Sequence, residues 1–96
     1  MLRRIERLMW DEWNLAHVWD ENKITPKEAN DAVFDLDFPA FALGTGDGFR
    51  YLFVGATEAE RRLAVFLRDI GNATGYVVAA RDLSEKERHL FKRTGK

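Results

Sequence analysis

At 96 residues and without cysteine, the chain has room for one domain and excludes disulfides, thiolate metal sites and thiol catalysis. Apolar residues make up 46% and aromatics 12%, which excludes a disordered chain, and the longest uncharged run, residues 70–80, is 11 residues against the ~18 of a membrane span. Fifteen Lys and Arg against sixteen Asp and Glu leave a net charge of -1, less basic than is usual for a protein that lives on nucleic acid.

Residues 2–9 alternate loosely between apolar and polar, as in a short first strand. The opening Met-Leu-Arg-Arg-Ile-Glu-Arg lacks the apolar stretch of a signal peptide, so the expectation is a soluble, cytoplasmic protein. Over residues 11–21, Trp13, Val18 and Trp19 stand among polar residues without Gly or Pro, which fits a helix better than a strand. Asp11 and Glu12 read as first-turn acids that complement the helix dipole. Thr25-Pro26-Lys27-Glu28 is the clearest helix start: Thr25 caps free amides, Pro26 suits the first helical position and Glu28 completes a capping box. Ala29, Ala32 and Val33 give that helix an inward stripe, and it must end before Pro39.

The period then changes. An apolar run over 38–43 ends in Gly44-Thr45-Gly46-Asp47-Gly48, a strong turn signal. Phe49, Tyr51 and Phe53 alternate with Arg50, Leu52 and Val54; after a turn at 57–60, Leu63, Val65 and Leu67 alternate with Arg62, Ala64, Phe66 and Arg68. A second turn over 70–75 leads to an apolar strand over 76–80, and Ser84-Glu85-Lys86-Glu87 opens a last helix with Leu90 and Phe91. The order is β-α-α-β-β-β-α, so the expected fold is α+β: an antiparallel sheet with helices covering one face.

No phosphate-binding glycine loop and no His-x-x-x-His pair is present, and the two histidines, His17 and His89, stand alone. No metal or cofactor is expected. The charges are unevenly spread: residues 11–37 hold eight acids and two bases, and residues 50–96 hold ten bases and six acids. Arginines Arg50, Arg61, Arg62, Arg68 and Arg81 fall on strands, and the period of two places Arg62 and Arg68 opposite Leu63, Val65 and Leu67. Guanidinium forks fanned over one face suit phosphate, and metal-free RNA cleavage needs such cations to stabilise a pentacoordinate phosphorus. The alternative is that exposed strand faces carry arginine simply as solvated surface. His17 is either a proton shuttle or a half-buried packing residue. Trp10, Trp13 and Trp19 are base-stacking candidates or, more simply, core anchors and a hydrophobic patch for a partner.

Several segments together resemble the BrnT family of toxins. Trp10-Asp11-Glu12 with Asn14 and His17, then Asn22-Lys23-Ile24-Thr25-Pro26 and Glu28-Ala29, are similar to that family's opening helices. Gly55, Thr57, Arg61 and Leu63 resemble its Gly-x-Thr-x-x-Gly-Arg-x-Leu hairpin, and Ala80-Arg81 with Ser84, Glu87 and Phe91 its closing strand and helix. The resemblance implies a RelE-like fold and a toxin that cuts mRNA without a metal and arrests translation. It further implies a ribbon-helix-helix antitoxin as partner, and Arg61 and Arg81 as phosphate-binding or catalytic residues. His17 is the candidate for proton transfer, and Arg50, Arg62 and Arg68 are supporting RNA contacts chosen by face and charge.

The chain departs from the family pattern at five places. Asn22-Lys23 stands for His-Gly, Ala56 for Arg, Glu60 for Gly, Tyr76 for Arg and Phe91 for Tyr. Four of these changes remove cationic, imidazole or phenolic groups, which opens the alternative of an inactive relative acting only as a protein-interaction module.

Overall fold

A computed structural model describes residues 5–43 and 50–92. The predicted turn at 44–48, and residues 2–4 of the predicted first strand, lie outside the described residues. The fold is α+β, as expected, with elements β1 (Arg7–Met9), α1 (Glu12–Asn22), α2 (Pro26–Val33), β2 (Ala40–Leu43), β3 (Arg50–Ala56), β4 (Arg62–Asp69), β5 (Thr74–Asp82) and α3 (Glu85–Leu90). No helix among the described residues is long and apolar enough to cross a membrane.

All three helices start where side chains take up the free amides of the first turn. Thr25 with Glu28 and Ser84 with Glu87 form the two predicted capping boxes. A third caps α1: Asp11 accepts from the Asn14 amide while the Asn14 side chain accepts from the Asp11 amide. Asp11 is therefore the cap rather than a first-turn acid. Asn14 is fully buried and also donates to the carbonyls of Met9 and Val77, both at 3.0 Å. One amide side chain thus ties β1, α1 and β5 together.

The sheet order is β1-β5-β4-β3-β2. Three corrections to the expected architecture follow. The run at 38–43 contributes a further strand, β2, paired with β3. The sheet is mixed, because β1 runs parallel to β5 at its edge. The helices do not share one face: α1 and α2 cover one side, and α3 turns its end onto the other.

The two faces have separate cores. Leu63, Val65 and Leu67 of β4 join Tyr51, Val77 and Ala80 beneath Val18, Ile24, Ala29, Ala32 and Val33 of the helical layer. A bulge makes this possible on β5: Phe66 pairs with Ala79 and Leu67 with Val77, so Val78 is the extra residue. Val77 and Ala80 then point to the same side although three positions apart. At Gly55 a Cβ would sit 1.9 Å from the Ala32 carbonyl oxygen, so α2 lies directly on the β3 backbone. On the opposite side Val54, Ala56, Ala64, Phe38 and Leu83 form a smaller cluster, with Phe41, Phe66 and Phe91 against it. The Phe41 and Phe91 rings are 5.4 Å apart.

The tryptophans depart from the core-anchor expectation. Trp10 packs against the main core, but Trp13 and Trp19 are 59% and 49% exposed. The buried positions of α1 are Asn14 and Val18, one turn apart, and that phase leaves both indoles outside.

Candidate functional site

The predicted arginines divide between the two faces. Arg61 lies just before β4 on the helical side, where it faces Asp82 and the junction of α1 with α2. Its Nε and Nη2 donate to the two Asp82 carboxylate oxygens at 2.7 and 2.9 Å. Its Nη2 and Nη1 also donate to the carbonyls of Asn22 (2.7 Å) and Lys23 (2.9 Å), and Nη1 reaches Glu28 at 3.3 Å. All five N–H donors are therefore taken. Hydrogen bonding to Asp82 holds the guanidinium pKa above its ordinary value and the Asp82 carboxyl below its own. Arg61 is a clasp joining two helices to the end of β5. The Asn22 side chain adds to this junction by donating to the Ala80 carbonyl at 2.8 Å.

Arg81 projects to the other face, since it pairs in register with Ala64 of the small cluster. It forms a two-pronged ion pair with Glu87, at 2.6 and 2.8 Å, and its guanidinium lies 5.7 Å from the Phe66 ring centre. The Arg81 hydrogen bonds pull the Glu87 carboxyl down to about 2. That carboxylate is too weak a base for proton transfer near neutral pH.

His17 stacks on Trp13, with ring centres 4.9 Å apart and planes 13° from parallel, on the outer side of α1. The three residues predicted as catalytic, Arg61, Arg81 and His17, are thus not brought to one place. Two of the three serve contacts that stabilise the fold.

The remaining arginines share the face opposite α1 and α2. Arg50 and Arg68 stand directly opposite each other across β3 and β4. Both are exposed, and neither has a carboxylate partner among the described residues. Like charges in opposed positions repel, so the pair is unfavourable until an anion lies between or over it. Beside Arg50 a cavity of about 300 Å³ is bounded by Leu43, Phe66, Val78 and Ala79. Arg62 lies on the same face at the other end of β4, with its guanidinium 5.3 Å from the Phe38 ring centre and 3.8 Å from Glu60. Its Nε is buried and has no hydrogen-bond acceptor.

Two further groups belong to this face and were not selected from the sequence. Arg88 and His89 line a cavity of about 430 Å³ together with Arg62, Leu83 and Glu85. The signal for them is the i, i+3, i+4 spacing of Glu85, Arg88 and His89, which groups them on one side of α3. Spacing alone does not say that this side meets Arg62.

The arrangement is therefore a sheet face with a phenylalanine at its centre, two guanidiniums without a carboxylate partner among the described residues at one end and a mixed Arg/His cavity at the other. It is suited to holding a sugar-phosphate backbone while a base rests on apolar surface. Among the described residues no group of His, Asp and Glu is placed to ligate a metal. No protein-family model and no curated protein matches this chain.

Proposed function

We propose that the chain is a RelE-like protein related to BrnT toxins, the toxin component of a type II toxin–antitoxin pair. It acts on mRNA at the open face of its sheet without a metal, and a ribbon-helix-helix antitoxin neutralises it. The observation that carries this reading is the opposed Arg50–Arg68 pair, without a carboxylate partner among the described residues, beside Phe66 and an apolar cavity. The backbone supports the family resemblance. Lys23 and Glu60 stand where the family pattern has glycine, and both have positive φ, 56° and 67°. A glycine is the residue such positions favour.

In this reading Arg50 and Arg68 bind phosphate, Arg62 extends the path along β4, and Arg81 is held by Glu87 at the edge of the same face. Arg61 keeps the helices in place. A second reading, an interaction module without RNA chemistry, is favoured by the saturation of Arg61, by the pairing of Arg81 with Glu87 and by the exposure of Trp13 and Trp19.

Expression without a partner separates the two. The toxin reading expects growth and translation to stop, and an Arg50→Ala/Arg68→Ala variant of unchanged fold to release the arrest. Normal growth with abundant folded protein overturns it in favour of the module.

A further inference from the structure

The cavity between β4 and α3 is independent of the Arg50–Arg68 pair and holds a different set of groups. Arg62 forms its floor; Glu85, Arg88 and His89 contribute from the side of α3, and Leu83 closes it with apolar surface. Arg62 and Arg88 bring two guanidiniums and Glu85 one carboxylate to the lining, and Glu60 stands beside Arg62. The Arg62 Nε is buried without an acceptor, although its guanidinium touches Glu60 at 3.8 Å and lies over Phe38. A buried donor of this kind is otherwise almost always satisfied. Arg88 and His89 are exposed, and their side chains make no ion pair or hydrogen bond among the described residues. Charged and titratable groups facing His89 are therefore Arg62 from β4 and Glu85 and Arg88 from its own helix.

We propose that this cavity is a phosphate subsite. A phosphate group pairs with the partly exposed Arg62 guanidinium, Arg88 supplies a second cation, and His89 donates a hydrogen bond. The chemistry suits either a phosphate of an RNA chain or a free phosphate group. The RNA source rests on the function proposed above; the subsite itself does not.

The test is titration of the intact protein at fixed pH with two probes, inorganic phosphate and a short single-stranded RNA, followed through the Arg Nε–H and His ring signals by NMR. The expected result is that phosphate moves the Arg62, Arg88 and His89 signals. Arg88→Gln/His89→Gln, both exposed positions, should weaken phosphate binding at least fivefold without altering the fold. Phosphate that leaves those three groups unmoved overturns the subsite. RNA that binds at Arg50 and Arg68 without moving His89 also overturns it as part of the RNA path, while sparing the toxin reading. Phosphate binding here with no RNA binding anywhere supports the subsite and removes its RNA source.

Discussion

Single residues on the two faces respond to mutation with opposite signs. Removing Arg61 leaves Asp82, Glu28 and the carbonyls of Asn22 and Lys23 without their donor. Stranded polar groups of this kind cost roughly 2–4 kcal/mol together, so Arg61→Ala should lower the denaturation midpoint sharply. Arg61→Lys should recover little, because an ammonium cannot reproduce a planar fork with five donors. Arg68→Gln should do the reverse. Relieving the opposed guanidiniums stabilises the free protein by about 0.2–1 kcal/mol while weakening RNA binding. Chemical denaturation of both variants beside an RNA-binding titration reads the two effects separately. The sequence pattern was informative for Arg62 and Arg68, whose face follows from the period of two along β4. Arg61 precedes β4, so the strand period does not place it. Its partners Asp82 and Glu28 lie 21 and 33 positions away, beyond anything local spacing encodes.

Elements show the same division between local and distant information. The caps at Thr25 and Ser84 are written in four consecutive residues each, and both helices begin there. The parallel pairing of β1 with β5, the bulge at Val78 and the side taken by α3 depend on segments far apart in the chain. Close packing of α2 on β3 makes Gly55→Ala disruptive: the new Cβ meets backbone at Ala32, which has no rotamer to change. A loss of roughly 3 kcal/mol or more, or failure to accumulate folded protein, is expected, and thermal melting checks it. Lys23→Gly and Glu60→Gly should each stabilise by about 1 kcal/mol by relaxing left-handed backbone. The pairing of α3 with β5 should be acid-sensitive. Arg81 depresses Glu87 from 4.5 to about 2, so its contribution is complete above pH 4.5 and is lost as pH falls toward 2. The protection of the α3 amides, relative to their intrinsic exchange rate at each pH, should fall over that interval, and Glu87→Gln should abolish the dependence.

The whole molecule is two-sided. The acidic stretch at 11–37 folds into the helical layer, while Arg50, Arg62, Arg68 and Arg81 lie on the opposite sheet face, an asymmetry that the net charge of -1 conceals. RNA binding at that surface should weaken with salt, by about 0.7 in the logarithmic slope for each phosphate contacted on a single strand. The helical side, with Trp13 and Trp19 exposed among acids, should be unaffected by RNA. The most direct measurement is backbone and side-chain NMR mapping of a short single-stranded RNA on the intact protein at two salt concentrations. The account predicts salt-sensitive shifts on the open sheet face, at Arg50, Arg62, Phe66 and Arg68. Shifts centred on α1 and α2, or none at any salt, would contradict it.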